Sequence, residues 1–226
     1  MNEKVEAWAE ACYKYKHRWI AYLTSLYGTQ FIREFGSPAR IMVGTPEQVY
    51  NYIGHYNRCR VTHAFISVNA YEGTVAAPTR SRQKIMPDYK SVIPTRAFFD
   101  FDFETKRKEG TGKTLHDAHM DALSYFDELV PAAPWKVQLR FSGSKGFAVE
   151  IFHKFAYYEQ IEALSAAARE KHPLIDITTD RARIYRIPYT IHPSSMRQCI
   201  PISPNWSTEQ VLTESERYRP PPVVGP

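Results

Sequence analysis

Cysteine is scarce in this chain of 226 residues: Cys12, Cys59 and Cys199 are odd in number, far apart and without a C-x-x-C pair. That excludes a disulfide framework and gives no signal of a structural zinc site. The expected compartment is a reducing interior, cytoplasmic or nucleoid-associated. Long apolar runs are also missing, so no membrane partner is expected, and no signal peptide opens the chain. Internal repeats are absent. Charged residues at 23% and hydrophobic residues at 43% are ordinary for a globular protein. The net charge of +5 and a pI near 9.0 suit a polyanionic partner. The length gives room for one sizeable domain, residues 1–218. Residues 219–226, Arg-Pro-Pro-Pro-Val-Val-Gly-Pro, read as a proline-rich tail or the start of a linker, so that the chain would be one part of a longer protein.

The pattern along the chain mixes helices and strands. Helical periodicity covers Asn2 to Tyr27 with Gly28 as its stop, and Thr45-Pro-Glu-Gln48 opens a second helix to about Asn57. Strands are expected over 39–43, 61–69, 135–141, 147–152 and 183–187, with shorter ones at 174–178 and 199–202. Further helices are expected over 114–130 and 157–171. Residues 72–95, with Gly73, Pro78, Pro87 and Pro94, read as a loop. It carries Arg80, Arg82 and Lys84, either on a solvated surface or as a basic flap over a nucleic acid.

Three short stretches carry the chemistry. In Arg96-Ala-Phe-Phe-Asp-Phe-Asp-Phe-Glu104, strict alternation puts Phe99, Phe101 and Phe103 on one strand face and Asp100 and Asp102 on the other. Two such carboxylates repel and raise one another's pKa, and a hard divalent cation relieves that. The alternative is an acidic solvent face on a half-buried strand. Phe141-Ser-Gly-Ser-Lys-Gly-Phe147 offers two glycines, backbone amides, the hydroxyls of Ser142 and Ser144 and the charge of Lys145, which suits a phosphate or an ordinary hairpin turn. Asp176 ends an apolar run and is followed by Asp180, Arg181, Arg183, Arg186 and His192. Arginine forks match phosphate oxygens, although surface ion pairs would look the same. Together, a carboxylate pair, a phosphate loop and a third aspartate beside arginines are the parts of metal-dependent nucleotidyl transfer.

In that order the three stretches resemble the motifs of the archaeo-eukaryotic primase superfamily. Asp100 and Asp102 resemble its Asp-x-Asp strand, Ser142-Gly-Ser-Lys-Gly-Phe-Ala148 its Ser-Gly-x-x-Gly-x-His loop, and Ile175-Asp176 its hydrophobic-Asp strand. Arg183, Arg186, Pro188 and His192 resemble its Arg-x-x-Arg-x-Pro-x-x-x-His pattern. The resemblance implies an α+β fold of two α/β sub-modules, one like an RNA-recognition motif, with the active site between them. It implies primer synthesis and extension from nucleoside triphosphates on a single-stranded DNA template, with two divalent cations, Mg²⁺ or Mn²⁺. Asp100, Asp102 and Asp176 would be catalytic and hold the metals. Ser142, Gly143, Ser144, Lys145, Ala148, Arg183, Arg186 and His192 would form the nucleotide site, and Arg80, Arg82 and Lys84 would meet the nucleic acid. A helper domain or helicase in a longer protein is a further expected partner.

The chain departs from the pattern in three places. Ala148 stands where the family has a histidine, which would cost roughly 1.5–3 kcal/mol of nucleotide or transition-state binding. We read it as an engineered replacement that weakens the activity, with a natural variant or a degenerate enzyme as the alternatives. Counted from Pro188, Asp176 is two residues too close, and Asp180 aligns better by count. No cysteine-rich zinc site is present, which favours a plasmid-, virus- or defence-type enzyme over a cellular subunit. The rival function is a catalytically inactive nucleic-acid-binding scaffold of a replication or defence complex. Haloacid-dehalogenase and sugar-nucleotide transferase readings explain the Asp-x-Asp but not the later stretches.

Overall fold

The computed structural model describes residues 3, 6, 8, 10, 14–36, 40–58, 64–78, 83–103, 112–132, 136–176 and 180–224. In chain order these form α1 (Lys16–Tyr27), β1 (Arg33–Phe35), β2 (Ile41–Val43), α2 (Pro46–Arg58), β3 (Phe65–Ser67), β4 (Ala70–Tyr71), β5 (Thr74–Pro78), β6 (Gln83–Pro87), β7 (Val92–Ile93) and β8 (Ala97–Asp102). Then follow α3 (Leu115–Ala132), β9 (Lys136–Phe141), β10 (Gly146–Phe152), α4 (Tyr158–Lys171), β11 (Ile184–Arg186), β12 (Ile200–Pro201) and α5 (Thr208–Ser215). The fold is α+β.

Local chemistry sets the element ends. Gly28 stops α1 with φ 83°, where a side chain would be strained. The Thr45 hydroxyl accepts from the Gln48 amide at 3.3 Å, and the Gln48 side chain reaches back to the Gly44 amide at 2.6 Å. Ser207 and Gln210 form a complete capping box that starts α5. That helix was not expected, because its apolar pattern is too short to show a period.

Two antiparallel four-stranded sheets organise the molecule, in the orders β11-β3-β1-β2 and β12-β9-β10-β8. The second follows the β-α-β-β-α-β sequence of ferredoxin-like units: β8, α3, β9, β10, α4, and then a single bridge from Ile175 to Phe101 on the free edge of β8. The expected strand over 174–178 is reduced to that bridge among the described residues. Phe99, Phe101, Phe147, Val149 and Ile151 pack on α3 and α4 as one core. A second core, with Trp19, Leu23, Phe35 and Ile66, runs to the opposite face of the second sheet, where it includes Phe98 and Ala148.

The described part of residues 72–95 holds three strands instead of one continuous loop. β5 and β6 pair as a hairpin, with Thr74 opposite Pro87 and Pro78 opposite Gln83, and β7 pairs with β4. The prolines stand at the ends of a two-stranded ribbon, where no third strand needs their missing amides. Arg80 and Arg82 lie outside the described residues; Lys84 lies on β6. No helix among the described residues is long and apolar enough to cross a membrane.

Candidate active site

β8 behaves as its alternation predicts on one face. Phe99 and Phe101 are fully buried against α3 and α4. The other face is covered by the first sheet instead of solvent. It carries Asp100 opposite Ala148 and Asp102 opposite Gly146 in the register with β10. A Cβ at position 146 would overlap the Asp102 carboxylate and the Phe101 carbonyl, so glycine is required there if Asp102 is to keep its place. Burial pushes the Asp100 carboxyl above the usual carboxylate range; the Arg183 guanidinium pulls it back, Asp176 pushes it further up, and Arg140 pulls it down. Asp176 is thus a like charge that acts on Asp100.

Asp176 reaches the site because Ile175 bridges to Phe101, which brings the Asp176 amide to the Asp100 carbonyl at 2.8 Å. One guanidinium spans the two carboxylates: Arg183 Nη2 donates to Asp100 Oδ2 at 2.8 Å, and its Nη1 stands 3.6 Å from Asp176 Oδ2. Asp180 is exposed, and its carboxylate accepts from the Ala182 amide at 2.8 Å.

The loop between β9 and β10 folds on its own serine. Ser142 Oγ accepts from the amides of Ser144 at 3.4 Å and Gly146 at 3.2 Å. These amides were expected to face an anion; a phosphate would have to compete with the Ser142 hydroxyl for them. Gly143, at φ 90°, packs so closely on the Arg197 carbonyl and His192 that a Cβ would crowd both. That contact joins the loop to the segment after β11, and Ser195 Oγ donates to the Gly143 carbonyl across it.

This segment positions His192. Its Nδ1 accepts from the amides of Ser194 at 3.3 Å and Ser195 at 3.4 Å, so the ring proton belongs on Nε2, which is the donor this ring offers. Arg186 lies buried over the Phe65 ring at 4.5 Å and donates to the Ile191 carbonyl at 3.1 Å. Burial brings its pKa down to about 10, which leaves it charged at neutral pH.

These pieces meet in one cavity of about 220 Å³ between the two sheets. Asp100, Asp102, Ser142, Ser144, Lys145, Ala148, Arg183, Arg186 and His192 all line it. Asp176 joins through Arg183, and Gly143 supports the loop from behind. Sequence reasoning missed Arg140, Phe98, Tyr185 and Cys199 in the same wall. Arg140 alternates with Leu139 and Phe141 on β9, which was enough to place it on the polar face. Burial pushes the Cys199 thiol up to about 11, so it stays protonated and unreactive at neutral pH. The cavity therefore brings the carboxylates together with Lys145, Arg186 and His192 in one lining, a set suited to a cation bound to a polyphosphate. Among the described residues no three His, Cys, Asp or Glu side chains gather closely enough to hold a metal; Arg183 stands between Asp100 and Asp176 instead.

No family model matches the chain. No curated protein matches it either. Among solved structures the chain is similar to the polymerase domain of Mycobacterium tuberculosis Ligase D, determined in complex with DNA, with a TM-score of 0.49 and 13% identity over 81% of this chain and 70% of that one.

Proposed function

We propose that the chain is a nucleotidyltransferase of the primase-polymerase type, which extends or starts a primer on single-stranded DNA from nucleoside triphosphates. One observation carries the reading: three stretches distant in sequence, each suited to one part of this chemistry, line or adjoin a single cavity. Their order also resembles that of the archaeo-eukaryotic primases. Asp100 and Asp102 offer hard oxygen donors on one strand face and would hold Mg²⁺ or Mn²⁺, and Asp176 on the neighbouring edge would join them only once Arg183 no longer spans it and Asp100. When bound, such cations activate a 3′-hydroxyl and clamp the triphosphate. Lys145, Arg186 and the Nε2–H of His192 hold phosphate oxygens. Arg183 leaves the carboxylates and turns to the phosphates. Arg80, Arg82 and Lys84 are proposed contacts to the nucleic acid. Whether the methyl at 148 weakens the site depends on which other cation reaches the phosphates.

A second reading, nucleic-acid binding without catalysis, is favoured by the Arg183 guanidinium that ties Asp100 to Asp176. The test is incubation with labelled primer-template or single-stranded DNA, nucleoside triphosphates and Mg²⁺ or Mn²⁺, with products resolved by length. Template-dependent products that disappear in Asp100→Asn support the transferase. Polymer binding with no product in either metal supports the scaffold.

A further inference from the structure

Besides Arg186, three arginines among the described residues are buried: Arg33, Arg96 and Arg140. Two of them use both terminal nitrogens. Arg33 donates to the carbonyls of Ser67 and Val68 and to the Thr95 hydroxyl, and Arg96 to the Tyr185 hydroxyl and the Leu26 carbonyl. Neither lines the cavity. Arg140 differs on both counts. Its Nη2 pairs with Glu150 Oε1 at 2.8 Å, its Nη1 is shielded from solvent with no hydrogen-bond partner, and it forms part of the cavity wall. Arg33 and Arg96 also have a buried nitrogen without an acceptor, their Nε, so what sets Arg140 apart is that its orphan donor, a costly feature, belongs to a residue of the cavity wall.

The register explains how Arg140 comes to the cavity. Asp100, Ala148 and Arg140 stand side by side across β8, β10 and β9, on one sheet face. Between a carboxylate and a guanidinium the sheet places only a methyl. The guanidinium is held in position by the rings of Tyr185 at 4.6 Å and Phe98 at 5.2 Å, and both residues line the cavity. Ala148 lines the cavity, so the wall beside Arg140 is filled there by no more than a methyl. The other positive groups in the wall, Lys145, Arg186 and His192, make an anion the fitting occupant of the cavity.

We propose that Arg140 is a phosphate-binding residue, whose Nη1 donates to an oxygen of the bound triphosphate beside Ala148. The proposal rests on the transferase reading. It assigns to β9 the cationic donor that the histidine position on β10 lacks, and Ala148 becomes the residue that gives the guanidinium its access. A histidine at 148 would place its ring between Arg140 and Asp100 and contend for the same space.

The experiment measures equilibrium binding of a non-incorporable α,β-methylene deoxynucleoside triphosphate in Mn²⁺, with inorganic triphosphate as competitor. It compares the unaltered chain with Arg140→Lys, with Arg140→Met combined with Glu150→Leu, and with Ala148→His. The double variant removes both buried charges, so that Glu150 is not left unpaired. Arg140→Lys keeps the charge and gives a second answer should the double variant fail to fold. Thermal midpoints report folding. The expected result is about tenfold or greater weakening of both nucleotide and inorganic triphosphate in the double variant. Arg140→Lys should be intermediate, and Ala148→His should bring no gain. A folded Arg140 variant that binds triphosphate like the unaltered chain overturns the proposal and leaves the transferase reading intact. A tenfold gain in Ala148→His also overturns it, since the missing donor then belongs at 148. If the unaltered chain binds no triphosphate in Mn²⁺, the transferase reading falls, and this one with it.

Discussion

The two faces of the sheet formed by β8, β10 and β9 are made from the same strands and are both buried, yet they are built differently. One face presents Phe99, Phe101, Phe147, Val149 and Ile151 to α3 and α4. The other presents Phe98, Asp100, Arg140, Ala148 and Glu150 to the first sheet. The apolar face is held by area removed from water, and its members are exchangeable if volume is kept. The polar face holds charges in a low-dielectric space, where each must be paired or pay a desolvation cost. Buried charge of this kind is poor stabilising material, and its presence beside a cavity points to chemistry.

Substitutions on the two faces should therefore differ in kind. The largest effect is expected on the polar face: Asp100→Asn should lower nucleotide incorporation about a thousandfold or more, equivalent to roughly 4 kcal/mol of transition-state stabilisation. Its unfolding midpoint should barely fall, because the carboxylate it removes is already disfavoured by burial. Primer extension and thermal unfolding of the same sample check both halves. A stability loss as large as that of a core truncation would erase the distinction between the faces. Next is the apolar face. Phe101→Ala should cost about 3–5 kcal/mol in denaturant unfolding. Glu150→Leu should cost as much by leaving Arg140 unpaired, while combining it with Arg140→Met should return most of the loss. No recovery in the double variant would mean that the polar face is held by more than that pair.

Gly146 joins the two faces and sharpens the contrast. Gly146→Ala should cost about 1–3 kcal/mol of stability, because the new methyl collides with the Asp102 carboxylate and the Phe101 carbonyl. Incorporation should fall further than stability does, since Asp102 is the group displaced.

The smallest expected effect concerns His119 of α3, whose ring stacks on that of Phe147 at 4.4 Å on the apolar face. Burial is the main cause that brings its pKa down to about 4. The unfolded chain, with a pKa near 6.5, binds this proton more readily. Stability is therefore full above about pH 6.5 and declines as pH falls towards 4. Denaturant unfolding across that window should show a shallower slope in His119→Gln than in the unaltered chain; equal slopes would mean that the imidazole titrates normally.

Much of this was legible in the sequence, and what was not has physical reasons. The Phe-Asp alternation of β8 predicted which residues share a face, because a strand has period two. The same alternation could not say what covers the polar face, and a polar face ordinarily meets water. Arg140 and Glu150 were missed for that reason, although each alternates with apolar neighbours on its own strand. The hairpin of β5 and β6 was read as a loop because Pro78 and Pro87 look like breakers; they are tolerated at the ends of a two-stranded ribbon. Spacing alone favoured Asp180 over Asp176 for the third carboxylate. The apolar run Leu174-Ile175 pointed to Asp176 instead, and the bridge from Ile175 to Phe101 brings that residue beside Asp100. The Ser142 loop was read as a phosphate cradle or an ordinary hairpin turn, and its hydroxyl occupies two of the amides, a local closure that composition does not reveal.

The most direct test of the central claim, that one cavity gathers these stretches around a nucleoside triphosphate, is photoaffinity labelling with an azido-substituted triphosphate in Mn²⁺, followed by mapping of the labelled peptides. The account predicts label on both the 140–148 and the 183–192 segments, displaced by excess unlabelled triphosphate and reduced in Asp100→Asn. Displaceable label confined to a different part of the chain, or to only one of the two segments, would contradict it.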